Sequence, residues 1–350
     1  MRIAVLTNVI PSPTVIGGAG RVAYLYHELL RVRGHEIRVW GPNATFGRLG
    51  RMNPLLRLAF HFCDLGTRRI TVREILEWKP DVLLTHNLTG CGFGTPRRIK
   101  RNGIRWVHFL HDVQLIEPSG QIWWNRTSNV ESRKNAWRIT WSAFRHAAMG
   151  EPDAVVSPTK WLLEFHREYG WFRSIRAEVI PNPLSIFSPP HAPVSTELTA
   201  GASLSAEGGG AAPPAVEQEG QPTKEAGWWL NKRGESVLYV GRVDEEKGIL
   251  VLLVAWKKIA MPNARLVVIG DGMLLDHLRA QNISGVEFRG VQSPDDVRRA
   301  MEESAVVIVP SRILENQPTV ILEALAAGCN VVASDVGGIA ETLDGAGTLV

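Results

Sequence analysis

The chain has 350 residues, of which 45% are apolar and 21% charged, and a net charge of +4; that length predicts two domains and the composition is ordinary for cores that bury. No run of eighteen apolar residues occurs, and the amino end lacks a basic region, apolar stretch and cleavage site in series. This argues against a spanning helix and a secretory signal, and for a cytoplasmic protein. Cys63, Cys91 and Cys329 have no metal-ligand spacing and are expected as reduced thiols, while the ten histidines are read as forming no ligand cluster and no D-x-D is present, so no metal is expected.

In chain order, apolar runs predict strands at 2–9, 36–41, 81–86, 104–110, 153–157 and 177–180, with helices at 20–33, 67–78, 92–102, 136–148 and 159–169. The first strand leads into a loop, Pro11 to Gly20, ending in Gly-Gly-Ala-Gly ahead of a helix from Arg21. Glycines such as Gly18 and Gly20 let backbone amides approach a ligand. Gly18-Ala-Gly20-Arg-Val-Ala23 also fits the dinucleotide fingerprint of dehydrogenases, but that motif needs a turn straight off the strand and an acid ending the second strand. Here Ile10 to Gly17 intervenes with two prolines, and His35 to Trp40 runs into Gly41-Pro42-Asn43. Further on, His111-Asp112 ends a strand, and Val155 to Lys160 and Ile180-Pro-Asn-Pro183 read as strand ends with turn chemistry.

Ser188 to Gly227 is dense in Pro, Ala, Gly, Ser and Glu, so 186–229 is expected to be a disordered linker or insertion between a domain at 1–185 and one at 230–350. The alternation then resumes, with strands expected at 236–240, 264–269, 285–289, 305–309, 330–334 and 347–350 and helices at 247–260, 273–281, 294–303, 318–327 and 338–343. Val237 to Val240 runs into a Gly241-Arg242 turn, and Lys247-Gly248 opens a helix. Two cations at such a strand end can neutralise a diphosphate without a metal. Leu266 to Ile269 is followed by Gly270-Asp-Gly272. Ala305 to Val309 reads as a buried strand ended by Pro310, with Pro318 at a helix start and Gly328 at its left-handed cap. Glu315 lies in the intervening loop and Glu323 in the helix, within an apolar run where an unpartnered carboxylate is rare. Carboxylates accept paired hydrogen bonds from vicinal hydroxyls, as on riboses and hexoses.

The order of these motifs resembles retaining GT-B glycosyltransferases of family 4, whose E-x7-E signature matches Glu315 and Glu323. The resemblance implies an α/β fold of two Rossmann-like doubly wound parallel-sheet domains facing a cleft. It implies a nucleotide-diphosphate sugar as donor, with Glu315 on the transferred sugar and Glu323 on the ribose. Arg242, Lys247 and the amides near Gln317, Pro318, Thr319 and Val320 would hold the diphosphate, and the loop at Gly270 would pass the base. His111 would contact the donor sugar, and the Gly18–Gly20 loop would face the reaction centre. No cofactor is implied beyond the donor, and the acceptor would be a glycan or lipid-linked. Two departures stand out: Pro183 replaces the glycine usual after the hinge Pro-Asn pair, and the chain stops at Val350, where the family continues, so it is expected to be C-terminally incomplete. Other GT-B activities, an epimerase or a phosphorylase, and a catalytically incomplete nucleotide-sugar-binding protein stay open.

Charge divides unevenly: residues 1–185 carry 26 Lys and Arg against 14 Asp and Glu, and residues 186–350 carry 13 against 21. Arg48, Arg51, Arg57, Arg68, Arg69 and Arg73 are interleaved with leucine and phenylalanine, and Arg97, Arg98, Lys100 and Arg101 follow. Such a surface suits anionic lipid, each cation near it adding about 1 kcal/mol; the alternative is a solvated basic face. No recognition motif accompanies the charge, so nucleic acid is not expected as a partner.

Overall fold

Short runs of two to five residues, most of them largely apolar, become the strands of two wholly parallel sheets in the computed structural model. It describes residues 1–8, 18–41, 69–124, 136–184, 236–259 and 263–350. The first sheet holds β1 (Arg2–Leu6), β2 (Glu36–Trp40), β3 (Val82–Thr85), β4 (Arg105–Phe109), β5 (Ala154–Ser157) and β6 (Arg176–Val179), in the order β2-β1-β3-β4-β5-β6. The second holds β7 (Ser236–Val240), β8 (Arg265–Ile269), β9 (Val286–Gly290), β10 (Val306–Val309), β11 (Asn330–Ala333) and β12 (Thr348–Leu349), in the order β12-β11-β10-β7-β8-β9. In register, Val5 faces Val39 and Leu84, and Leu238 faces Val267 and Val307. Parallel strands need crossovers, and helices supply them.

Among the described residues those crossovers include α1 (Gly18–Val32), α2 (Arg69–Glu77), α3 (Thr95–Lys100), α4 (Ala136–Met149) and α5 (Lys160–Glu168) around the first sheet. Around the second run α6 (Ile249–Lys258), α7 (Leu275–Ala280), α8 (Pro294–Glu303), α9 (Thr319–Ala326) and α10 (Ile339–Leu343). Ser293 caps α8 by accepting the Asp296 N–H at 3.2 Å, with Pro294 in its first turn, and the helix spans the residues expected for it. Gly328 follows α9 with a φ of +67°, the expected left-handed stop.

The two-sheet α/β fold expected from the sequence is observed. The described residues within 1–184 and 229–350 form one compact unit; the linker or insertion expected at 186–229 lies outside the described residues, as do Cys63 and the arginines from Arg48 to Arg68. One apolar cluster runs through both sheets' layers, taking Leu110, Leu115 and Ile122 from the first and Leu314, Val336 and Ile339 from the second. Burial of each such side chain contributes roughly 1.5–3 kcal/mol. The two halves also share backbone pairing: Trp124 N–H donates to Arg312 O at 2.8 Å and Leu314 N–H to Ile122 O at 2.8 Å. Cys91 and Cys329 are buried, and Cys329 Sγ donates to Ser304 O at 3.4 Å. No helix among the described residues is long and apolar enough to cross a membrane.

Candidate active site

In the second sheet β7 is flanked by β8 on one side and β10 on the other, so the chain's direction of winding reverses between β7 and β10. Ligands of open α/β sheets bind at the carboxyl ends of strands at such a reversal. The loops after these two strands carry Arg242, Lys247 and Glu315. Lys247 Nζ donates to Glu315 Oε1 at 2.5 Å, and Ser311 Oγ donates to the same oxygen at 2.7 Å. Arg242 pairs with Asp244 at 3.0 Å and with Glu246. Tyr239 beneath them donates its hydroxyl to Arg242 O at 2.5 Å; burial, helped by the Asp244 and Glu315 carboxylates, raises its pKa.

Lys247 ends a 3-10 turn, Glu245–Lys247, rather than opening the helix directly, and Gly248 follows with a φ of +77° as the first flank of α6. A Cβ there would stand 1.7 Å from Pro310 O, so only glycine brings this turn against the end of β10. Gly270 plays the same part for β7: its Cβ would lie 1.9 Å from Gly241 O. The N–H groups of Gly241 and Gly270 bond Ile269 O and Gly290 O, and of the two it is Gly270 whose missing side chain lets the strand ends meet.

Glu323 sits in the second turn of α9 and is 8% exposed. Its carboxylate meets the Arg21 guanidinium of α1 at 3.2 Å, and burial raises its pKa while Arg21 opposes the rise. Pro318 is the residue before the helix, with a ψ of 119°, one position earlier than the helix start expected for it. Thr319 and Val320 therefore lie in the first turn, ahead of the first internal bond from Ile321 N–H to Pro318 O at 3.1 Å. Gln317 is held by Asn182, whose backbone N–H donates to Gln317 Oε1 at 2.6 Å and whose side-chain amide donates to Gln317 O at 3.2 Å. Gly18 and Gly20 are not in a loop, as expected, but in the first turn of α1. In that turn Gly18 is exposed, while Gly20 begins the buried face that Val22 and Ala23 continue.

His111 follows β4, and its ring Nε2 lies 2.7 Å from His86 Nδ1. Its carbonyl accepts Asn316 Nδ2 at 3.2 Å, which brings it beside the Glu315 loop. Burial lowers His111 to about 4 and His108 to about 3, and lowers His86 well below the ordinary histidine value. The sequence reading overlooked that His108 and His111 stand three residues apart. In the fold they turn to different partners, His108 Nδ1 lying 2.7 Å from Thr85 Oγ1, and no three potential metal ligands converge among the described residues. Sequence reasoning also missed the residues that join the two layers here. Thr159 Oγ1 donates to Asn316 Oδ1 at 2.7 Å, and Glu341 accepts the first two N–H groups of α5, Lys160 at 2.7 Å and Trp161 at 2.9 Å. No local pattern signals such pairs.

Two parallel six-stranded sheets with helices between their strands, the second with this reversal, make an α/β fold of the GT-B kind. Residues 16–186 match Glycosyltransferase Family 4 and residues 234–350 match Glycosyl transferases group 1, and the chain belongs to this family. A lipopolysaccharide 1,2-N-acetylglucosaminetransferase of Salmonella typhimurium is 40% identical over 124 residues, 31% of this chain and 32% of that protein. The fold is similar to sucrose-phosphate synthase from Thermosynechococcus elongatus, with a TM-score of 0.65, 18% identity, and coverage of 100% of this chain and 86% of the synthase. It is also similar to Anabaena HepE in complex with UDP, with a TM-score of 0.59, 16% identity, and coverage of 100% and 85%.

Proposed function

We propose that this chain transfers a sugar from a nucleotide-diphosphate sugar to a glycan or lipid-linked acceptor, with retention of configuration and without a metal. The observation that carries the reading is the Lys247–Glu315 pair, which joins the loops that follow β7 and β10, with Arg242 on the same loop as Lys247 and Glu323 on the helix that follows Glu315. The donor's diphosphate would meet the two cations and the first-turn N–H groups of Thr319 and Val320, where a helix start favours anions. Its ribose would bond Glu323 and its sugar would rest against Glu315 and His111. The C1–O bond to phosphate breaks as the acceptor oxygen bonds C1, and the acceptor's proton passes to the departing phosphate oxygen on the same face. The protein's share is orientation and stabilisation of charge on the leaving diphosphate.

On the acceptor side, Arg97, Arg98 and Arg101 are exposed on and just beyond α3, beside α4, whose Trp137 and Phe144 are 45% and 41% exposed. Cations next to exposed aromatic rings suit an anionic bilayer holding a lipid-linked acceptor. The test of function is a panel of nucleotide sugars incubated with wild-type protein and an acceptor-containing lipid extract, scored by nucleoside diphosphate release. Release from one donor, dependent on extract, is expected; release that ignores the extract, or none from any donor, contradicts the reading.

A further inference from the structure

The site as proposed has an unbalanced charge, and one residue of the first sheet's layer answers it. Arg242 lies on Asp244 and Glu246, and Lys247 on Glu315. With Glu323, the two cations of the second layer face four carboxylates before any ligand arrives. A diphosphate adds negative charge, and in a partly buried cleft that repulsion is weakly screened. Balance requires a further cation. Among the described residues, the ion pair that joins the two layers at this point is Arg21 with Glu323, at 3.2 Å, and the Arg21 side chain is 31% exposed.

Arg21 and ribose would use the same carboxylate. Vicinal hydroxyls donating to Glu323 compete for the oxygen that now accepts the guanidinium. One helical turn, about 5.4 Å, separates Glu323 from the first-turn N–H groups of α9, a span shorter than an extended arginine side chain. A guanidinium presents paired donors that match phosphate oxygens. Resting on the proposed donor site, we propose that Arg21 is a ligand of the donor's diphosphate: ribose displaces it from Glu323, and it turns to the phosphates as a third cation, supplied from the first layer. Donor binding then exchanges one contact between the layers for another that runs through the ligand.

Isothermal titration of the full chain with UDP, GDP, ADP and CDP identifies the diphosphate that wild-type protein binds; that diphosphate and its parent nucleoside are then titrated into Arg21→Gln and Arg21→Lys. Arg21→Gln is expected to bind the diphosphate at least tenfold more weakly and the nucleoside within twofold of wild type, with Arg21→Lys retaining part of the loss-sensitive affinity. Unchanged or tighter diphosphate binding by Arg21→Gln would make the residue only a lock on Glu323 and overturns the proposal. Equal weakening for nucleoside and diphosphate assigns it to the shape of the cleft and overturns it too. Failure of wild-type protein to bind any of the four contradicts the donor site itself, a result separable from the others because it needs no variant.

Discussion

Lys247 and Glu315 are a bonded pair, so each single substitution exposes what the other does alone. Lys247→Ala is expected to lower kcat/KM by at least about 30-fold, roughly 2 kcal/mol, the scale of one preorganised donor. Part of that loss reflects Glu315 left with Ser311 as its described partner, so a double-mutant cycle with Glu315→Gln is expected to show a coupling of about 1 kcal/mol or more. Additive losses in steady-state kinetics would mean that the pair does not act as a unit. Lys247 and Glu323 were legible in the sequence, because a lysine at a strand end and an acid inside an apolar helix each break a local pattern, and Glu315 was legible through its spacing from Glu323. Arg21 was not, since its partner lies 302 positions along the chain and an arginine in an amphipathic helix is unremarkable locally. Glu341 was hidden for the same reason, being separated from Lys160 by 181 positions.

At the scale of elements, the strand ends that carry the site depend on glycines that no other residue replaces. Gly248→Ala is expected to destabilise the fold by at least about 2 kcal/mol, since it combines a φ of +77° with a Cβ placed 1.7 Å from Pro310 O. Gly241→Ala places its Cβ 3.5 Å from the Tyr239 hydroxyl, an ordinary contact, and is expected to cost less than about 1 kcal/mol. Denaturant unfolding of the two variants separates them, and equal losses would contradict the packing described. The alternation of strand and helix was readable because buried parallel strands are short apolar runs bounded by turns. The start of α1 was misplaced because glycines at 18 and 20 read as loop, whereas the buried face of the helix extends back through Gly20.

Across the whole molecule, the described histidines concentrate in the first layer, where burial depresses His27, His111 and His166 to about 4 and His108 to about 3. These rings fold in neutral form, while the unfolded chain takes up protons below its ordinary histidine pKa of about 6.5. Their contribution is therefore complete above about pH 6.5 and is lost as pH falls towards the folded values, by about 1.4 kcal/mol per histidine per pH unit. Thermal unfolding is expected to show Tm falling steeply between pH 6.5 and 5; a flat profile would contradict the burial. The basic first layer makes a second whole-molecule prediction: flotation with vesicles containing anionic phospholipid, absent with neutral ones. Equal behaviour on both would remove the bilayer from the account.

In the proposed function Glu315 and Glu323 do separate jobs at one site, sugar and ribose. Its most direct test compares Glu315→Gln and Glu323→Gln for both nucleoside diphosphate affinity and sugar transfer. Glu315→Gln is expected to bind the diphosphate as wild type does and to lose transfer, whereas Glu323→Gln weakens diphosphate binding at least tenfold. Loss of binding to the same extent in both variants, or transfer retained by Glu315→Gln, would contradict it.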